Sequence, residues 1–208
     1  MEPLIAVKLI GLPFVAYLAG SIPCGLVLTR LFTSVDIRKA GSGNIGATNV
    51  RRTVSLKLGI LTLIGDALKG AIPVYIATAI ADNNDLWYEI YISIVALSSF
   101  SGHLYPLYTK FKGGGKGVAT AAGCFLIISI TATFVAIPVF ILFACWRNHV
   151  SSGSLAAAAI LPVAVWMDTC SAALTVCVLI IAISIYIRHK ENIKRLLSGR
   201  EPVIWKKR

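Results

Sequence analysis

The stretch LKLGILTLIGDALKGAIPVYIATAI, residues 56–80, is apolar at most positions, yet carries an aspartate and a lysine near its middle. A helix needs roughly 20 predominantly apolar residues to cross a hydrocarbon core of about 30 Å, so this run is long enough to span a bilayer. Further apolar runs fall near residues 4–28, 87–104, 118–132, 134–146, 154–167 and 172–187. Of the 208 residues, 57% are hydrophobic and 14% charged, and the mean hydropathy is +0.79, a balance far from that of soluble domains. The pattern predicts an all-α, polytopic integral membrane bundle of about seven transmembrane helices. It reads as one transmembrane domain over residues 1–208, with cytoplasmic loops at about 36–55 and 102–117 and a basic C-terminal tail. The fifth and sixth runs are shorter than the usual minimum of about 17 residues. A five-span alternative merges 118–146 and 154–187 into two overlong helices. The first run is distinguished from a signal peptide by its length, by Glu2 in place of a basic leader, and by the spans that follow it.

Charge orients the bundle. The net charge is +11. Arg30, Arg38, Lys39, Arg51, Arg52 and Lys57 flank one loop, Lys110, Lys112 and Lys116 another, and the tail from Arg188 is rich in Lys and Arg. The segments ADNNDLWYE (81–89) and WMDT (166–169) hold only acids. Basic short loops stay in the cytoplasm, so the N-terminus is expected outside and the C-terminus inside. Arg147, in the break RNHVSSGS (147–154), prefers the cytoplasmic side as well.

Five cysteines lie almost entirely within apolar runs and include no C-x-x-C pair; His103, His149 and His189 are far apart. Neither set has metal-ligand spacing, so no metal site is expected. With no hydrophilic domain left over, the chemistry falls to the loops.

Loop one, DIRKAGSGNIGATNVRR (36–52), surrounds Gly41, Gly43 and Gly46 with Ser42, Asn44, Thr48 and Asn49, then with Arg38, Lys39, Arg51 and Arg52. Main-chain N–H groups beside guanidinium forks suit phosphate. The bland alternative is a linker whose cations only obey the orientation rule or meet anionic headgroups. In loop two, KFKGGGKGVAT (110–120), the run Lys112, Gly114, Gly115, Lys116, Gly117 precedes an apolar helix. It is not a nucleotide-binding P-loop, since Gly117 stands where Ser or Thr would bind magnesium. Its N–H groups, the helix dipole and Lys116 suit an anion nonetheless. His103 directly precedes this loop. Asp66 and Lys69, three apart in LIGDALKG (63–70), share a helix face. Ionisable residues within a span point to function by default; mutual neutralisation that merely pins the packing is the alternative.

The segments GSIPCG (20–25), GSGNIGATNVRR (41–52), GDALKG (65–70), GHLYP (102–106) with FKGGGKGVAT (111–120), and RHKENIKRL (188–196) together resemble the PlsY family, the bacterial acyl-phosphate:glycerol-3-phosphate acyltransferases. The resemblance covers nearly the whole chain. It implies a multi-pass protein of the bacterial inner membrane that moves a fatty acyl group from acyl phosphate to the 1-hydroxyl of glycerol 3-phosphate, giving lysophosphatidic acid and phosphate. By resemblance, Ser42 and Asn44 line the reaction centre, Arg52 and Lys116 hold phosphate, and Lys69, His103 and Asn192 complete the polar cavity. It implies no cofactor, metal or nucleotide, no nucleic-acid partner, and no use of acyl-CoA or acyl carrier protein. The partners it implies are the two substrates, membrane lipid and an acyl-phosphate-producing enzyme. One departure is visible: Gly113, Gly114 and Gly115 make three glycines before Lys116, where the family pattern has two.

Residue chemistry agrees with that reaction. An acyl phosphate carries a good leaving group, so positioning and oxyanion stabilisation matter more than a strong nucleophile. The H-x4-D motif of the acyl-CoA type is missing, since Tyr108, Ser154 and Lys194 occupy the fifth positions after the three histidines. A transporter of a phosphorylated solute is the main rival, but it calls for charges near the bilayer midplane, and here most lie at one face. A metal-dependent phosphotransferase needs clustered acids, which nine scattered ones do not supply.

Overall fold

The computed structural model describes residues 3–81 and 86–205, with side chains for 10–81 and 87–205. The described residues are helical or irregular, without strands. They form two compact units, Met1–Ile128 and Ser129–Arg208. Asp82 and Asp85 of the expected outer acidic loop lie outside the described residues.

The first unit holds α1 (Pro3–Gly20), α2 (Cys24–Phe32), α3 (Ala47–Thr53), α4 (Leu56–Ile80), α5 (Leu86–Leu104) and α6 (Val118–Ile128). Helix α4 is its hub, touching each of the other five. Lipid gives apolar helices no hydrophobic reason to associate, so close packing must do it, and small residues permit that. Gly20 of α1 rests on the Ser99 carbonyl of α5, and Gly102 of α5 rests on the Tyr17 carbonyl of α1. Likewise Gly70 of α4 meets the Thr120 carbonyl of α6, and Gly123 of α6 meets the Ala67 carbonyl of α4. A Cβ at any of the four would drive into main chain.

The second unit holds α7 (Ile130–Arg147), α8 (Val150–Thr169), α9 (Ala172–Arg188) and α10 (Lys190–Leu197), packed in sequence order. Here the boundaries correct the hydropathy reading. A break expected near residue 133 falls at Ser129, whose Oγ accepts from the Ala132 N–H at 3.0 Å and donates to Asp168 Oδ2 at 2.6 Å. Capping starts the helix, and hydropathy does not register a cap inside an apolar run. Consequently α7 has 18 residues and α8 has 20, so the two spans expected to be short are full length. The short helix is α6, with 11 residues.

By length and composition four helices suffice to cross a membrane, α4, α5, α7 and α8. Two bent pairs raise the number to six, α1 with α2 at 43° and α9 with α10 at 56°. Both bends have local causes: Pro23 precedes α2, and His189 separates α9 from α10. Ile60, Leu61, Ile64, Leu68 and Ile72 on α4, and Phe134, Ile137, Ile141 and Leu142 on α7, are exposed. Apolar stripes of that length are surfaces for lipid.

Candidate active site

Loop one is a built structure. Ile37, Ile45 and Val50 are buried with Leu26 of α2 and Leu58 of α4, and the Ile45 carbonyl lies on Gly25 of α2. Asn49 organises the rest. Its Oδ1 accepts from the Ser42 N–H at 3.0 Å, while Nδ2 donates to the carbonyls of Asn44 (2.8 Å), Ala40 (3.0 Å) and Ile37 (3.3 Å). Two hydrogens serve three carbonyls, so one bond is shared. Gly41, at φ 60°, sits against the Asn49 amide and Thr53, where no side chain fits. Asn44 Oδ1 accepts from the Gly46 N–H at 2.8 Å, an Asx turn that fixes its own rotamer. Asn49 is thus turned inward as a clamp. Ser42 is exposed, and Gly43, Asn44, Gly46 and Thr48 are half-buried. Arg51 and Arg52 stand exposed on α3, without a carboxylate partner among the described residues.

Beneath the loops lies a buried charged cluster. Lys69 Nζ is ion-paired with Asp66 Oδ1 and donates to the Ile22 carbonyl, both at 2.8 Å. His103 Nδ1 faces the same Asp66 oxygen at 3.7 Å. The Ser99 hydroxyl donates to the Lys69 carbonyl at 2.6 Å. Asp66, Lys69 and His103 are all less than a tenth exposed. Ions this deep persist only when paired and hydrogen-bonded. The Lys69 ammonium is thus held by one carbonyl and one opposite charge. The imidazole therefore presents one nitrogen, Nδ1, toward the carboxylate.

Loop two is seated on the end of α5. The Gly115 N–H donates to the His103 carbonyl at 3.1 Å. A Cβ at Gly115 would fall on His103 Nε2, one at Gly114 on the Leu104 carbonyl, and one at Gly117, where φ is 84°, on the Phe100 ring. The glycines therefore do more than expose N–H groups: they let the chain lie flat on α5. Gly113, the additional glycine, is exposed and has only Arg38 Cδ near its missing side chain. Lys112 is exposed and Lys116 half-buried.

Asn192 belongs to the second unit. Its Nδ2 donates to Glu201 Oε1 at 2.6 Å, as does the Ser151 hydroxyl at 2.8 Å, and Arg195 Nε donates to Glu201 Oε2 at 2.8 Å. Burial raises the proton affinity of Glu201, but the hydrogen bonds from Asn192, Arg195 and Ser151 outweigh it and hold the carboxyl below its usual range. His189, also buried, directs Nδ1 to the Ile185 carbonyl at 2.8 Å. Sequence reasoning selected neither Glu201 nor His189. Glu201 is one of two acids in a basic tail, with Glu191, a signal that was present in the sequence.

The structure thus brings Ser42, Asn44 and Asn49 together in one loop, sets Lys69 and His103 at Asp66, and seats Gly114, Gly115 and Gly117 on Leu104, His103 and Phe100 of α5. The glycerol-3-phosphate acyltransferase family model matches residues 10–199. The chain belongs to that family. A glycerol-3-phosphate acyltransferase from Syntrophotalea carbinolica is 51% identical over 186 residues, covering 89% of this chain and 92% of the relative. One from Trichlorobacter lovleyi is 46% identical over 189 residues, with 89% and 92% covered. A crystal structure of PlsY (YgiH), an integral membrane glycerol 3-phosphate acyltransferase, in its glycerol 3-phosphate form has a TM-score of 0.88 and 36% identity, covering 95% of this chain and 96% of that one. Its lysophosphatidic acid form gives 0.86, again at 36% identity, with 95% of each chain covered. As a glycerol-3-phosphate acyltransferase of this kind, the chain is a multi-pass membrane protein, and its outward apolar stripes face lipid. For such an acyltransferase the geometry offers exposed cations on two folded loops, and a buried imidazole packed under the glycines of loop two.

Proposed function

We propose that the protein transfers a fatty acyl group from acyl phosphate to the 1-hydroxyl of glycerol 3-phosphate, releasing lysophosphatidic acid and phosphate. The observation that carries the reading is the seating of the glycine run on His103, which joins a cationic loop to a buried imidazole. In this reading Arg52, Lys112, Lys116 and the N–H groups of both loops bind phosphate. The glycerol hydroxyl attacks the acyl carbonyl directly, without an acyl-enzyme. The oxyanion is stabilised by N–H groups with Ser42 or Asn44. A phosphate oxygen of the substrate or His103 Nε2 takes the proton. Lys69 and Asn192 are further substrate-binding residues in this reading.

Purified protein supplied with palmitoyl phosphate and glycerol 3-phosphate in the presence of a chelator is expected to form phosphate and lysophosphatidic acid in equal amounts. Palmitoyl-CoA in place of palmitoyl phosphate is expected to give neither product. Loss of one oxyanion donor in Ser42→Ala lowers kcat by about 10²–10³-fold. Efficient turnover of palmitoyl-CoA refutes the donor assignment. A covalent acyl adduct on Ser42 after incubation with acyl phosphate alone refutes direct attack.

The same reading places the protein in the bacterial inner membrane as a single transmembrane domain, with seven crossings, the N-terminus outside and the loops and tail in the cytoplasm. Cys170, exposed at the turn after α8, tests it. An impermeant maleimide is expected to label Cys170 in intact spheroplasts, and a cysteine introduced as Ser198→Cys only after permeabilisation. The reverse pattern inverts the topology.

A further inference from the structure

Four hydrogen bonds tie the chain after Glu201 to the turn between α7 and α8. The Asn148 side chain pairs with both main-chain groups of one residue: its Nδ2 donates to the Trp205 carbonyl at 2.8 Å, and its Oδ1 accepts from the Trp205 N–H at 2.9 Å. The Ile204 N–H donates to the Asn148 carbonyl at 2.9 Å, and His149 Nδ1 lies 3.3 Å from the Pro202 carbonyl. Two residues further on, Ser151 donates to Glu201. One short turn therefore grips the 201–205 strap at both ends.

Beyond Glu201, which Asn192 and Arg195 also hold, the bonds to Asn148 and His149 are what order the strap among the described residues. Val203 and Trp205 are exposed, and the turn that leaves α10, closed by the Arg200 N–H on the Arg195 carbonyl at 2.8 Å, reaches no further than Arg200. The Glu201 carboxylate is what orients the Asn192 amide, through the 2.6 Å bond to Oε1. A mobile strap loosens that carboxylate, and with it the rotamer of Asn192. Displacements of this size at a positioning group are costly to productive binding.

We infer that Asn148 is a positioning residue: it clasps the C-terminal strap so that Glu201 holds the Asn192 side chain in its substrate-binding orientation. The inference rests on the proposed role of Asn192 in binding substrate. Asn148 itself touches no substrate in this arrangement and acts only through the strap.

The test uses the full-length protein. Asn148 has φ 56°, a conformation glycine adopts freely, so Asn148→Gly removes the clasp without straining the turn. Amide hydrogen exchange in the peptide containing 203–205 is expected to accelerate in Asn148→Gly. The KM for glycerol 3-phosphate is expected to rise about five- to tenfold while kcat stays within about twofold, the signature of lost binding alone. Asn148→Asp, which keeps the acceptor for the Trp205 N–H and loses the donor, is expected to fall between, and it serves where the glycine variant does not fold. Faster exchange with an unchanged KM overturns the inference, as does unchanged exchange. Asn192→Ala separates the two readings. A raised KM there with an unchanged KM in Asn148→Gly defeats the clasp alone, whereas an unchanged KM in Asn192→Ala defeats the site assignment and the clasp with it.

Discussion

Asp66→Ala is expected to destabilise the protein by about 3–5 kcal/mol, the cost of leaving a buried partner ion uncompensated. Lys69 is 7% exposed, and its remaining partner would be the Ile22 carbonyl, which carries no charge to balance the ammonium. The loss reaches beyond the pair, since His103 Nδ1 faces the same carboxylate oxygen. Chemical denaturation in detergent micelles measures the effect. The informative comparison is the double variant Asp66→Leu/Lys69→Met, which removes both ions and is expected to regain most of the lost stability while remaining inactive. A buried pair replaced by apolar residues of similar volume is often neutral or stabilising. Native-like stability of Asp66→Ala would mean that the carboxylate does not hold the lysine. Stability without activity in the double variant would assign the pair to the reaction and not to the fold.

Gly115→Ala is expected to lower kcat by about 10²–10⁴-fold, the range attributed to a positioned proton-transfer group. The added methyl falls on His103 Nε2, on the imidazole that faces Asp66 through Nδ1. Either the imidazole is capped or the loop lifts away from α5, and both outcomes separate the base from the cationic run. Gly113→Asn is the matched control in the same loop. Gly113 is exposed with φ 68°, asparagine tolerates that conformation, and the nearest heavy atom is Arg38 Cδ at 4.0 Å. Near-native turnover is therefore expected. Steady-state assays of phosphate release compare the two. If Gly115→Ala turns over at the native rate, contact between the loop and His103 has no part in catalysis.

How much of this was legible in the sequence differs from element to element. The membrane class, the all-helical fold and the polar loops followed from length, composition and charge placement. The Asp66–Lys69 pair followed from spacing, because residues three apart share a helix face. The approach of His103 to Asp66 did not, since it joins two helices across 37 positions and no local period encodes it. Ser129 was hidden for a different reason: a serine in ISITATF reads as a tolerated small residue until its capping bond is seen. Asn49 was recognised as polar equipment of loop one, but whether an amide faces ligand or main chain depends on the loop's path. Asn192 reads in sequence as a break in a basic tail, and only the folded strap reveals the carboxylate beneath it.

The buried cluster is framed by main chain to an unusual degree. Lys69 leans on the carbonyl of Ile22, Gly115 donates to the carbonyl of His103, Ser99 donates to the carbonyl of Lys69, and glycines set the distance from α1 to α5 and from α4 to α6. A carbonyl at position 22 is supplied by whatever residue stands there. The frame is accordingly robust to sequence drift: a relative that has changed about half its aligned side chains, as at 51% identity, can keep every one of these supports provided that a few glycines, the hydroxyl at position 99 and the ionisable groups stay. Variation in the lipid-facing residues then proceeds without disturbing the chemistry, and such a protein can be retuned to a different membrane while its site stands still.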